Sequence, residues 1–147
     1  MPEAVIVEAV RTPIARGKPG VGELSGVHAA KLLALSYTGL IEKAGLDYKD
    51  IEQVVSGCVT QAGEQASNVT RTAWLGEEFP YEVAATTIDC QCGSSQQANH
   101  MVANLISAGA IDVGMATGVE HMSKVWLGAN VPRVEENFIN GRSKPDN

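Results

Sequence analysis

Residues 4–10, AVIVEAV, are apolar at every position but Glu8. A run that is apolar on both faces predicts a buried parallel strand. Pro13, Gly17, Gly20 and Gly22 then predict a loop. Beyond it, Val27, Ala30, Ala34 and Leu35 share one side at helical spacing, with Leu32, Leu33 and Leu40 beside them. Ser25 is a candidate cap and Gly45 a stop, so a helix is expected from about Gly26 to Ala44. Asp47–Asp50 predicts a short capped turn. IEQVVSGCVTQ (51–61) reads as a second strand, ASNVTRTAWL (66–75) as a helix, and VAATTID (83–89) as a third strand. The clearest helix is 94–108, where Ala98, Met101, Val102, Leu105 and Ile106 share a face and Gly109 stops it. AIDVGMATG (110–118) supplies a fourth strand.

Strands alternating with helices imply an α/β fold: a mostly parallel sheet with helices on both faces. Residues 1–123 are expected to form this domain. The tail 124–147 differs, with prolines, mixed charge and no steady period. It reads as the start of a loop region, cut before any element closes the unit. The layered fold is therefore expected to be incomplete in this chain.

Composition narrows the function classes. Of the 147 residues, 17 are acidic and 11 basic, giving a net charge of −6. No basic run marks a nucleic-acid surface. The N-terminal apolar run is short and interrupted by Glu3, Glu8 and Arg11, which fits neither a signal peptide nor a membrane span. A cytoplasmic protein is expected. Cysteines 58, 90 and 92 are too few and too uneven for a secreted disulfide framework. The glycines of the first loop match no phosphate-binding signature.

The chemistry concentrates at DCQCGSSQ, residues 89–96. Cys92 lies between a predicted strand and a predicted helix. In an open parallel sheet that is the carboxyl edge, where ligands bind. A helix N-terminus stabilises a thiolate, and Gly93, Ser94 and Ser95 expose backbone donors, which suits an acyl-accepting nucleophile. A buried structural thiol is the competing reading. C-x-C is not the usual redox C-x-x-C, and no second thiol pair supports a metal site with His100 or His121. Cys58 reads as core. His121 is a weak candidate base for Cys92, Asp89 a turn carboxylate, Arg71 a pairing or capping residue, and Trp74 and Trp126 packing or interface residues.

The run TTIDCQCGSSQQANHMVANLISAGAIDVGMATGVEHMS resembles the nucleophile segment and following strand of the thiolases, the acyl-CoA C-acyltransferases. Their pattern is Asn-x-x-Cys-x-Ser-Gly, then a helix and a strand ending in Gly-x-Glu-x-Met-Ser. Asp89 to Ser95 and Gly118 to Ser123 stand in those places. VIVEAVRTPIARGKPG resembles the family's opening strand and Arg-Thr-Pro turn, and VVSGCVTQAGEQASNVTRTAWL its second strand and dimer-side segment.

The resemblance implies an acyl-CoA substrate, no further cofactor, and a homodimer or tetramer. It implies that Cys92 attacks the keto carbon of a 3-ketoacyl-CoA and holds the acyl group, while a second cysteine protonates the departing acetyl-CoA carbanion. Coenzyme A then collects the acyl group, and synthesis runs the steps backwards. The family's Gly-His-Pro and Cys-x-Gly-x-Gly motifs do not occur in these residues. A complementary thiolase half or partner subunit is therefore expected to complete the catalytic set. The alternative is a non-catalytic thiolase-like binding or assembly subunit. Asp89 departs from the pattern's Asn and Ser95 from its Gly. The DCQCG wording is similar to thiolases of bulky or steroid-derived acyl-CoA esters.

Overall fold

The computed structural model describes residues 2–131, 138–139 and 142–143. Three parallel strands form its sheet: β1 (Gln53–Gly57), β2 (Ala84–Ile88) and β3 (Gly114–Gly118), in the order β2-β1-β3. Gln53 is in register with Ala84 on one side and Gly114 on the other. Three helices connect and flank them: α1 (Ala29–Ala44), α2 (Val69–Gly76) and α3 (Ser94–Ser107).

The two faces of β1 explain the layering. Successive side chains point to opposite faces. Val54 joins a core with Leu33, Tyr37 and Ile41 of α1 and Ala73 and Trp74 of α2. Val55 faces the other way, onto Ala98 and Val102 of α3. Both valines are completely buried. Each such side chain contributes about 1.5–3 kcal/mol relative to exposure. Trp74, Tyr37 and Phe79 pack edge to tilted edge, with the Trp74 and Phe79 rings 4.7 Å apart.

Local chemistry fixes the helix ends. Gly45 adopts φ 67° and returns its N–H to Glu42, closing α1 where the sequence predicts. The start is three residues later than expected. His28, not Ser25, caps it through Nδ1 to Ala30 N, and the Glu64 carboxylate takes the Ala29 N–H at 2.9 Å. Asp47 and Asp50 form a reciprocal capping box around the 3-10 turn Tyr48–Asp50. Asn68, at φ 61°, caps α2 and also donates to Ala85 O, tying the helix start to β2.

The expected strand at 4–10 is not formed. Val5, Ile6 and Val7 are 70%, 85% and 74% exposed, and no described strand pairs with them. The reason is positional. A cavity of about 550 Å³ separates the segment Ile6–Gly17 from the far edge of β3, with Leu32, Leu33 and Leu40 of α1 as its floor. An apolar run becomes a strand only where another strand pairs with its backbone, and none of the described strands does so here. Lys43 tethers the segment instead, through Glu8 Oε1 at 3.0 Å and Ala9 O at 3.3 Å.

Two short strands are described in the tail. Phe138–Ile139 (β4) and Arg142–Ser143 (β5) pair antiparallel. The rest of the tail after residue 131 lies outside the described residues. Among the described residues, no helix is long and apolar enough to cross a membrane.

Candidate functional site

The carboxyl ends of the three strands meet the N-terminus of α3. Cys58 N donates to Ile88 O and Val119 N to Gly57 O, each at 3.0 Å, so the strand exits are stitched together. Two glycines let the helix descend onto them. A Cβ at Gly57 would fall on the backbone of Ser94 and Ser95, and one at Gly118 on the Ser95 hydroxyl. Glycine is required at Gly57 for this close approach, not for its dihedrals.

Cys92 stands in the turn between β2 and α3, and it is exposed. Gln91 has φ 52°, a left-handed conformation unusual for a side chain of its size. Three contacts hold it there. Asp89 Oδ1 accepts the Gln91 N–H at 2.7 Å, Ser94 Oγ donates to Gln91 O at 2.6 Å, and Ser94 Oγ accepts the Cys90 N–H at 2.9 Å. Gly93 N donates to Cys90 O and Ser94 N to Gln91 O, so two successive turns lead into the helix. The helix carries no side-chain cap and no acidic residue in its first turn. Its positive end is therefore open beside Cys92.

Asp89 thus acts as the turn carboxylate its position suggests. Cys90 is exposed beside Cys92. Cys58 belongs to the α1–α2 core and is 1% exposed. Burial, with the charges of Glu120 and Asp89 behind it, pushes its thiol up to about 12. It stays a neutral thiol under ordinary conditions.

His121 is 4% exposed, and its Nε2 lies 3.1 Å from Leu24 O and 3.0 Å from Val27 O. Two carbonyls require a protonated Nε2 as donor. That nitrogen holds the loop before α1. The neighbouring Glu120 is also structural. Its carboxylate accepts from Val59 N at 2.9 Å, Thr60 N at 3.3 Å and Gln65 Nε2 at 3.0 Å.

Gln65 completes this clasp. It is fully buried, donates to Thr60 O as well, and accepts the His121 N–H. It joins the loops after β1 and β3. Nothing in its sequence setting marked it, because Glu120 and His121 lie 55 and 56 residues away.

The remaining candidates have plain roles. Arg71 donates to Val83 O and Tyr81 O, both at 2.6 Å. Trp74 is buried and donates to Pro80 O. Trp126 is 51% exposed, and His100 stands exposed on α3. Among the described residues, no three His, Cys, Asp or Glu side chains converge as metal ligands. The 550 Å³ cavity reaches Gly118–Ser123 but does not include Cys92.

Comparison with known proteins adds the family. The model of "Thiolase, N-terminal domain" matches residues 4–145. The chain is 41% identical over its full 147 residues to the steroid 3-ketoacyl-CoA thiolase FadA6 of Mycobacterium tuberculosis, covering 35% of that protein. It is 44% identical over 132 residues to the 3-ketoacyl-CoA thiolase of Pectobacterium carotovorum, 89% of this chain and 34% of that one. The crystal structure of the Bacillus anthracis acetyl-CoA acetyltransferase superposes with a TM-score of 0.77 at 34% identity, over 85% of this chain and 31% of that one. The chain spans about a third of the length of these relatives.

Proposed function

Since the chain belongs to the thiolase family, we propose that it carries the acyl-accepting half of a thiolase active site, with Cys92 as the nucleophile. The observation that carries this reading is the exposed Cys92 in a pinned turn, at the open N-terminus of α3 and the carboxyl edge of a parallel sheet. In the proposed cleavage, Cys92 Sγ attacks the 3-keto carbon of a ketoacyl-CoA. The bond from that carbon to the acetyl-CoA carbon breaks, and the carbanion takes a proton. Coenzyme A then attacks the thioester on Cys92 and leaves as the shortened acyl-CoA. Condensation is the reverse.

His121 Nε2 is committed to two carbonyls. The thiol's base and the second thiol are proposed to come from a complementary thiolase half or partner subunit. Residues 1–123 act as the nucleophile-bearing domain and 124–147 as the start of a loop region. A homodimer or tetramer in the cytoplasm is the proposed setting. Bulky or steroid-derived acyl-CoA esters are the proposed substrates, in keeping with the name of the mycobacterial relative.

Intact-mass analysis after incubation with an acyl-CoA tests the nucleophile. The expected result is one acyl adduct, mapped to Cys92 and absent from Cys92→Ala. A folded chain that takes no adduct, alone or with a complementary thiolase half, overturns it and supports a binding or assembly subunit. Thiolytic turnover by the 147-residue chain by itself would overturn the need for a partner.

A further inference from the structure

Cys90 and Cys92 flank Gln91 in the turn that leads to α3. The 3.1 Å hydrogen bond from Gly93 N to Cys90 O closes residues 90–93 into a four-residue turn. Such a turn keeps its outer Cα atoms within about 7 Å. Two extended residues span up to about 7 Å, at the limit of what a disulfide bridges. A residue in the left-handed region is not extended, so the bend at Gln91 brings Cys90 and Cys92 closer than that limit. The bend is held by Asp89 Oδ1 and Ser94 Oγ and does not depend on a bridge. Both thiols are free and open to solvent, while Cys58 is buried. Spacing in the sequence argues against a redox pair. The turn reverses that argument.

We propose that Cys90 is a resolving thiol for Cys92, so that residues 90–92 form a peroxide-reactive modification site. Cys92 sulfur attacks one oxygen of hydrogen peroxide, the O–O bond breaks, and a sulfenic acid and one water result. Cys90 sulfur then attacks the Cys92 sulfur. The S–O bond breaks, a second water leaves, and the disulfide forms. Two thiols lose two electrons in all, and one peroxide takes them up. Oxidised in this way, Cys92 cannot accept an acyl group, and it is shielded from irreversible sulfinic acid. A dithiol such as dithiothreitol restores both thiols by exchange. The step needs only sulfur chemistry and does not depend on acyl transfer.

The test uses the reduced chain, treated with hydrogen peroxide, unfolded, and labelled with N-ethylmaleimide. Expected is a loss of two hydrogens in mass and one label, on Cys58, in place of three. Dithiothreitol returns all three labels. Cys90→Ser is expected to trap dimedone at Cys92 and to proceed to sulfinic acid that dithiothreitol does not reverse. Cys58→Ala is expected to keep the disulfide. The proposal is overturned by sulfinic acid on Cys92 with Cys90 still labelled in the unvaried chain. It is also overturned by a bridge that involves Cys58 or a second chain, or by three labels retained under peroxide that oxidises Cys92 in Cys90→Ser.

Discussion

β1 and β2 end at the same edge of the sheet, and each is followed by a cysteine. The β1 exit buries Cys58 among α1 and α2 and raises its thiol to about 12. The β2 exit turns Cys92 outward at the mouth of a helix. Residue type and sheet edge are shared, but Cys58 directly follows β1 whereas Cys92 stands four residues past Ile88. After β1 the chain passes under the Glu120–Gln65 clasp and stays inside. After β2 the left-handed Gln91 throws it outward. Exposure here is a property of the exit, not of the cysteine.

The largest disturbance of this contrast is expected from Gly57→Ala. Its methyl group would meet backbone atoms of Ser94 and Ser95, which cannot swing aside. Overpacking of this kind costs about 1–3 kcal/mol, and here it also lifts the helix N-terminus away from Cys92. Urea denaturation should show the loss, and Cys92 acylation should slow more than stability alone explains. An unchanged midpoint would mean that the helix does not rest on the strand.

Glu120→Ala probes the β1 exit. It leaves two backbone N–H groups without their acceptor and removes one of the two acceptors of the Gln65 amide, a cost of about 1–3 kcal/mol. Loosening the clasp should open Cys58 to maleimide while leaving Cys92 labelling at its original rate. Equal acceleration at both sites would contradict the separation of the two exits.

The third effect concerns pH. The folded Cys58 thiol is raised to about 12 from an ordinary value near 9, so the unfolded chain loses its proton first as pH rises. The stabilisation is fully present below about 9 and is lost as pH climbs towards 12. Tyr37, pushed up to about 12 chiefly by burial, acts in the same direction at a higher onset. Cys58→Ala should flatten the alkaline decline of stability in part. Cys92→Ala should leave the contribution of Cys58 to that slope in place.

Much of this was legible in the residues. The α3 stripe of Ala98 and Val102, the Gly45 stop and the valines of β1 each carry a periodicity or a backbone requirement that local sequence expresses. Cys92 was legible because a strand, a turn and a helix surround it in that order. Residues 4–10 misled because an apolar run states what it would bury and not whether a neighbour is there to receive it. The start of α1 depends on Glu64, 35 residues on, and the clasp depends on Gln65 and Glu120 meeting across 55. Such contacts belong to topology and leave no local mark. Gln91 was silent for another reason, since its left-handed turn is imposed by Asp89 and Ser94 against the preference of a long side chain.

The parallel sheet also sets the tempo at which the molecule can assemble. β1 has no hairpin partner. Gln53 must wait for Ala84 on one side and for Gly114 on the other. The half-buried bond between Ser56 and Thr117 closes a loop of 61 residues. Loop-closure entropy is lost before such pairings return anything, so a sheet of this kind forms slowly. The strand at the centre of the sheet needs both its neighbours, and each is distant in sequence. Until it does, the turn at Gln91 has no sheet edge to stand on, and the exposed thiol it carries is no more than a cysteine on an unfolded chain.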